Sequence, residues 1–468
     1  MDYKEAFEKA SKFGQEHIFQ FWDELSKEER ESLLKQVNEI DFDEIESLKK
    51  LTSKKEKANP DPKSISAPNS IKKEKIMKSE KSTYEQGVTT LKEGKVACLM
   101  VAGGQGSRLG FEGPKGCFPI SPVENKTLFQ LFAEQILANQ KKYDVNLQWY
   151  MMTSVANNAQ TKEFFEENNY FGLDKKQIHF FVQKMLPAIN KEGKFFLKTK
   201  SEIFTNPNGT GGVYSALKEN GILDHAKKNN IEFFSFVNVD NPLVEIFDPA
   251  HIGLVKERNS DYSIKVVKKT NPEEKVGLIC NVNGITQVLE YSNISEELTH
   301  EKNEENDLLL NLANLNILII KRDFIEQILK DNLLEYVVAF KKIPFISESG
   351  ELFQPDSPNG YKFETFVFDV MPLTKNISII EDLREDIFAP VKNAEGVDSP
   401  LTARLLMNRK AKKWMLKAGF DKEIVDHIDF AEISPLFALT EEDFIEKVEN
   451  KIEFYENEMI AEENFYFQ

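Results

Sequence analysis

The stretch that most restricts how this chain can fold is VACLMVAGGQGSRLGFEGPKGCFPI, residues 96–120. It begins with an apolar run that has no polar residue to mark an exposed face, which predicts a strand buried on both sides of a parallel sheet. The run ends in Gly103, Gly104 and Gly106, where the missing Cβ lets a loop turn sharply and bring its N–H groups close to a ligand. Loops of this kind hold anions, phosphate above all. Arg108 and Lys115 then add one forked and one point-like positive charge, a pair suited to a polyphosphate. Spacing excludes two familiar phosphate loops. Gly104, Gly106 and Gly110 lie one residue too wide for G-x-G-x-x-G, and Lys115 stands between Pro114 and Gly116 rather than before the Ser or Thr of a P-loop.

The strand-then-helix pattern recurs downstream. Thr127 and Gln130 read as a capping box opening a helix whose apolar stripe is Leu128, Leu131, Phe132 and Ile136. Apolar runs at 147–152, 178–182 and 231–239 alternate with helical stretches at 161–168 and 212–220, which predicts an α/β fold with helices on both faces of the sheet. Ligands of such sheets sit beyond the carboxyl ends of the strands, so the residues after each run are the candidates for chemistry. Gln183 follows the third run and offers an amide with one acceptor and two donors. A second glycine loop, with Gly209 and Gly211, comes next. Asp240 ends the fourth run. A carboxylate there suits Mg²⁺ held against phosphate oxygens, and a turn former or helix cap has the same sequence appearance. From 262 onward, strands at 262–267, 276–281 and 285–291 predict an antiparallel sheet flanking the pocket.

The remaining features set boundaries. The formal charge of −17 over 468 residues argues against general affinity for nucleic acid or an anionic membrane, so a polyanionic substrate has to be met by local cations. Three widely spaced cysteines suggest neither a disulfide framework nor a zinc knuckle and point to the cytoplasm. No apolar run approaches the ~20 residues of a membrane span. No Ser–His–Asp, Cys–His or paired-acid arrangement emerges for covalent or hydrolytic catalysis. The N-terminus reads as amphipathic helices, with Ser26 and Glu29 as a capping box. Residues 53–82 read as a Lys-, Ser- and Pro-rich linker or loose wrapping arm, and the final EENFYFQ resembles a protease-cleavage scar set aside from the fold. The expected divisions are a helical N-terminal region with linker at 1–85, a catalytic α/β domain at 86–380 that carries the glycine loops, and a small, mostly helical C-terminal domain at 381–468.

Residues 103–110 with 114–116 resemble the GGxG(T/S)RLG…PKG signature of eukaryotic-type nucleotide-sugar pyrophosphorylases. The phrase GQEHIFQFWDELSKEERESLL resembles the opening of UDP-N-acetylhexosamine pyrophosphorylases, and Met152-Thr153-Ser154, the loop from Asn206, FETFVFDV from Phe363 and REDIFAPVKNAEGVDSP from Arg384 follow in that family's order. The resemblance implies a Rossmann-like nucleotidyltransferase (GT-A-like) with a mixed sheet. It implies a cytoplasmic uridylyltransferase, a monomer or weak homodimer, that makes UDP-N-acetylglucosamine and pyrophosphate from UTP and N-acetylglucosamine-1-phosphate, without nucleic-acid or membrane partners. The alternative is a UDP-glucose or broad-specificity UDP-sugar pyrophosphorylase. Thr210 keeps that alternative open, because the family carries asparagine there, whereas Glu290, Tyr291 and Asn314 favour the N-acetyl sugar. By the same resemblance Arg108, Lys115 and Lys392 are the catalytic cations. Gly103, Gly104, Gly106, Gln183, Gly209 and Gly211 bind the nucleotide, while Thr210, Asp240, Gly277, Glu290 and Asn314 meet the sugar. Asp240 and Asp369 hold Mg²⁺, with Mn²⁺ as the alternative ion.

Overall fold

The computed structural model describes residues 1–53, 59–304 and 306–468; part of the expected linker, 54–58, lies outside the described residues. Two compact units are assembled from interleaved segments. The first takes Met1–Ala58, Gln183–Ser215 and Leu334–Asp369, and the second takes Asn59–Val182, Ala216–Leu333 and Val370–Gln468. The sequence expectation divided the chain into three consecutive parts. Shifts in composition mark where the local pattern changes, whereas the units are set by which distant segments share a core.

In the first unit, helices Tyr3–Lys12, Lys27–Glu39 and Phe42–Lys49 present Ala6, Ala10, Leu33, Val37, Phe42 and Ile45 to Leu186, Ile189, Phe195, Ile203 and Phe363 in one apolar cluster. Ser26 and Glu29 make the expected reciprocal cap, with 3.2 and 2.8 Å hydrogen bonds, which satisfies two of the donors a helix start leaves unpaired. Strands Val337–Lys341 and Gly360–Glu364 pair antiparallel and extend to Ile189–Asn190.

The second unit is built on a large mixed sheet whose principal strands are β1 (Val96–Val101), β2 (Trp149–Thr153), β3 (Ile178–Val182), β4 (Phe233–Asn238), β5 (Tyr262–Lys268), β6 (Leu278–Val282), β7 (Ile285–Leu289), β8 (Leu312–Lys321) and β9 (Ile377–Asp382). The order across the sheet is β9-β5-β8-β4-β1-β2-β3. β3, β2, β1 and β4 are parallel, β8 runs antiparallel to β4 and β5, and β5 is parallel to β9. Both faces are covered. Val96, Cys98 and Met100 join one apolar cluster with Leu131, Phe132 and Ile136 of α1 (Leu128–Tyr143), while the alternate residues Ala97 and Leu99, like Tyr150 and Phe234, are also fully buried. Thr127 caps α1 by accepting the Gln130 N–H at 3.2 Å.

Two expectations are corrected here. Tyr262–Lys268 does not belong to a separate antiparallel sheet: β5 lies inside the main sheet between β8 and β9, and only β6 and β7 form the antiparallel hairpin, joined to β8 through Leu278 and Ala313. The reason is β8, a ten-residue strand whose reversal of direction leaves no signal in local periodicity. The terminal EENFYFQ is no detached scar. Asn464–Phe467 pairs parallel with Phe430–Ile433, Phe465 and Phe467 pack in a cluster with Trp414, Phe444 and Met459, and the Tyr466 hydroxyl accepts from Lys126 Nζ. Among the described residues, no helix is long and apolar enough to cross a membrane.

Candidate active site

At the carboxyl end of β1 the chain enters the glycine loop. Gly103, Gly104 and Gly106 do not take a left-handed backbone; Gly110 and Gly113 do, at φ 69° and 133°. What demands glycine at 106 is contact, since a Cβ there would lie 2.7 Å from the Phe111 ring and 2.9 Å from its carbonyl oxygen. At Gly104 a Cβ would meet nothing within 4 Å, so the chain surface is open there to an incoming group. The loop is held from behind by Asn157, a fully buried residue whose Nδ2 donates to the carbonyl oxygens of Ala102 and Gly104 at 2.8 and 3.3 Å. Asn157 was not singled out from the sequence; its position in the turn after Met152-Thr153-Ser154 was the available signal. Thr153 itself bonds to the Phe181 carbonyl and to Asn158, a supporting role.

Lys115 gathers the site. Its N–H donates to the Gly104 carbonyl at 3.1 Å, and its Nζ donates to the Val391 carbonyl at 3.2 Å and lies 4.0 Å from Asp240 Oδ2. Burial depresses the Lys115 ammonium below the usual lysine range; Asp240 opposes this, and Arg108 and Lys392 reinforce it by like-charge repulsion. Two further cations thus act unfavourably on the Lys115 ammonium, an arrangement relieved by an anion. Gly116 is required by packing, because a Cβ there would fall 2.2–2.4 Å from carbons of the Phe129 ring. Burial pushes the neighbouring Cys117 thiol up to about 12, so it supplies no thiolate nucleophile near neutral pH.

Asp240 follows β4 and its carbonyl accepts the Val391 N–H at 2.8 Å. Beside it Asn241, nearly fully buried, donates to the Ile387 carbonyl at 2.7 Å and accepts the Ala389 N–H at 2.9 Å. These bonds pin to the strand end the segment that carries Lys392, whose own N–H bonds to the Asp398 carbonyl at 2.7 Å while Nζ stays 3.7 Å from the Asp398 carboxylate. A cavity of about 140 Å³ opens here, with Asn238, Asp240, Asn314, Asn316, Phe388 and Lys392 among its lining. Asn314 donates its N–H to the Gly277 carbonyl at 2.9 Å, and Glu290, which follows β7, packs its carboxylate over Gly277, where a Cβ would lie 3.4 Å from Oε1. The structure therefore brings together Arg108, Lys115, Asp240 and Lys392, and places Gly277, Glu290 and Asn314 beside one another.

The remaining candidates belong to the first unit. Gln183 Nε2 donates to Asn208 Oδ1 at 3.2 Å and to the Gly209 carbonyl at 2.6 Å, so its donors shape the second glycine loop. Gly209, at φ 84°, and Gly211 would each clash with the 365–366 backbone if given a Cβ. The Thr210 hydroxyl accepts the Val367 N–H at 3.2 Å. Asp369 closes a turn by accepting the Phe366 N–H at 2.8 Å.

Magnesium demands hard oxygen donors, of which the protein supplies few and phosphates and waters the rest. Asp240 fits that requirement: its carboxylate is 21% exposed and lines the cavity among asparagine amides. Among the described residues the one group of three carboxylates within ligand distance is Glu245, Asp248 and Asp382. It is neutralised by Lys73, 3.1 Å from Asp248 and 3.5 Å from Asp382, and by Lys265, which contacts Asp248 and lies 3.2 Å from Asp382, so its role is structural.

The family model described as UTP–glucose-1-phosphate uridylyltransferase matches residues 42–464. A human UDP-N-acetylhexosamine pyrophosphorylase-like protein 1 is 37% identical over 87% of this chain and 84% of its own. The UDP-N-acetylglucosamine pyrophosphorylase of Saccharomyces cerevisiae is 35% identical over 87% and 90%. A crystal structure of the uridine diphosphate N-acetylglucosamine pyrophosphorylase from Trypanosoma brucei, in complex with an inhibitor, superimposes with a TM-score of 0.85 and 26% identity, covering 99% of this chain and 98% of that one. With its glycine loop, its cluster of cations around Asp240 and the match along nearly its whole length, the chain belongs to the UTP–glucose-1-phosphate uridylyltransferase family.

Proposed function

We propose that this protein transfers the uridylyl group of UTP to N-acetylglucosamine-1-phosphate, giving UDP-N-acetylglucosamine and pyrophosphate. A phosphate oxygen of the sugar phosphate attacks the α-phosphorus of UTP in line, the bond to the β-phosphate oxygen breaks, and pyrophosphate leaves with the electron pair. No protein nucleophile is required, and catalysis consists of holding two mutually repelling anions in line and offsetting the developing charge. The observation that carries the reading is that Asp240 and Lys392 line one asparagine-rich cavity, with Lys115 Nζ 4.0 Å from the Asp240 carboxylate and within Coulombic range of Arg108 and Lys392.

Arg108 and Lys115 are assigned to the β- and γ-phosphates and then to pyrophosphate, and Lys392 to the α-phosphate. Mg²⁺, with Mn²⁺ as the alternative, would be held by Asp240 and would supply charge neutralisation between phosphate groups. Asp369 as a second ligand, Gln183 with Gly209 and Gly211 for the nucleotide, and Glu290 and Asn314 for sugar hydroxyls rest on the motif resemblance. A cytoplasmic setting is supported by three free thiols, Cys98, Cys117 and Cys280.

The test is pyrophosphate release from UTP and Mg²⁺ with N-acetylglucosamine-1-phosphate, N-acetylgalactosamine-1-phosphate or glucose-1-phosphate. Fastest turnover with N-acetylglucosamine-1-phosphate is expected. A preference for glucose-1-phosphate, the reading Thr210 keeps open, would overturn the substrate assignment, and silence with all three would overturn the reaction.

A further inference from the structure

The antiparallel pairing of β5 with β8 is not continuous. Lys265 faces Ile317, yet its neighbour Val266 faces Asn314, so Leu315 and Asn316 are extruded as a bulge. Asn316 sits there in the left-handed region at φ 54°, a conformation that asparagine tolerates better than most residues. Bulges re-aim side chains, and they gather next to active sites. Here the bulge borders the cavity that also holds Asp240 and Lys392.

The side chains of the two asparagines are engaged unequally. Asn314 Oδ1 accepts the Asn316 N–H at 2.8 Å, and Asn314 Nδ2 donates to Asn316 Oδ1 at 3.1 Å. Asn314 thus spends its acceptor and one donor on keeping the bulge. Asn316 receives its bond on the oxygen, which fixes the amide's orientation, and an amide so held presents its NH₂ group as a donor. Both residues are only half-buried.

On the proposed reading, Asp240 and Lys392 mark the α-phosphate of UTP, and in-line attack brings the phosphate at C1 of the hexose against it. In a cavity of about 140 Å³ the hexose substituent nearest that phosphate is the one on C2, the neighbouring carbon. We infer that the Asn316 amide is a specificity-determining group, donating a hydrogen bond to the acyl oxygen of a 2-acetamido substituent, and that Asn314 is the residue that positions it. This rests on the assignment of an N-acetylhexosamine phosphate as substrate.

Asn316→Asp keeps the left-handed tolerance and the oxygen that accepts from Asn314, and removes the donor. Its added negative charge acts on the phosphate common to both sugars, so the ratio of kcat/KM for N-acetylglucosamine-1-phosphate over glucose-1-phosphate isolates the amide. Asn316→Gly, which also tolerates the backbone angle, removes the side chain without adding charge. Both variants are expected to lower that ratio about tenfold, the effect of one lost hydrogen bond together with the polar substrate atom left unpaired. Asn314→Ala is expected to lower the ratio as well, and, if it does so through Asn316, to lower it no further when Asn316→Gly is already in place, any loss of its own hydroxyl contact falling on both sugars alike. Equal losses with both sugars in Asn316→Asp and Asn316→Gly, or a ratio within twofold of wild type, would overturn the Asn316 assignment while leaving the proposed reaction standing. A wild-type protein that uses glucose-1-phosphate alone would overturn both.

Discussion

If Asn241 places Lys392, then Asn241→Ala should damage stability and activity by separable routes. The side chain holds two backbone groups, the Ile387 carbonyl at 2.7 Å and the Ala389 N–H at 2.9 Å, and it is only 5% exposed. Leaving a buried backbone donor or acceptor unpaired destabilises by about 1–3 kcal/mol, so the pair predicts a loss of about 2–6 kcal/mol, toward the lower end where the segment relaxes to admit water. Urea denaturation reads this against a total stability of about 5–15 kcal/mol for a typical protein. The Val391 N–H to Asp240 and Lys392 N–H to Asp398 bonds survive the substitution, so the segment is loosened rather than released. A misplacement on the order of 1 Å lowers kcat/KM by about 10²-fold at most. The decisive measurement is a double-mutant cycle. Once Lys392→Ala has removed the ammonium, Asn241→Ala should still lower stability but should add little to the loss of kcat/KM. Full additivity of the two losses in log kcat/KM would refute the idea that Asn241 acts through Lys392.

Other outcomes follow from the same geometry. Lys115 must be charged to hold polyphosphate, and its ammonium is depressed in the folded protein. The alkaline limb of kcat/KM should therefore begin below the ordinary lysine range, and Lys115→Arg, which stays charged, should move that limb upward even as it lowers the maximum. The Lys265 ammonium is buried, which alone would depress it, but Asp248 and Asp382 more than reverse this, and both carboxyls are held below the usual aspartate range by Lys265 and Lys73 despite their own burial. Removing the cation with Lys265→Met should destabilise by about 3–5 kcal/mol. Because the carboxyl groups are depressed, the stabilisation is fully present above about pH 4 and is lost as pH falls below it. The difference in urea midpoint between wild type and variant should accordingly stay constant above about pH 4 and shrink progressively as pH falls below it. Deleting residues 464–468 uncovers Phe465 and Phe467 and should lower stability by about 3–6 kcal/mol, visible as a lower Tm; an unchanged Tm would mean that the terminal strand is dispensable.

Much of the parallel core was legible in the sequence because a strand covered on both faces has to be apolar throughout, as 96–101 is. Helix starts were legible because Ser26 and Thr127 carry a hydroxyl that caps employ regularly, and each accepts the expected N–H. Arg108, Lys115 and Asp240 could be picked out as charges at a strand end or in a glycine-rich loop, and Lys392 only through the family phrase around it; their clustering is a matter of sheet order. What the sequence did not disclose depends on partners distant along the chain. The direction of β8, and hence the placement of β5, is set by pairing across the sheet. The Asn316 bulge exists only relative to Val266. Asn157 and Asn241 look like loop asparagines until the carbonyls they hold are seen. The scar-like ENFYFQ misled because its aromatic residues have the composition of a tag and the burial of a core.

Because Ala6, Leu33 and Phe42 pack with Leu186, Phe195 and Phe363, the first unit cannot close until the chain beyond Phe363 has been made. At a synthesis rate of about 5–20 residues per second, the helices nearest the N-terminus leave the ribosome roughly 15–60 s before their last partner strand. Their apolar stripes are bare for that interval. This unit, rather than the sheet of the second, is therefore where nascent-chain binding by a holdase chaperone should concentrate, and slowing translation between residues 60 and 360 should raise aggregation of this protein more than slowing it after residue 370.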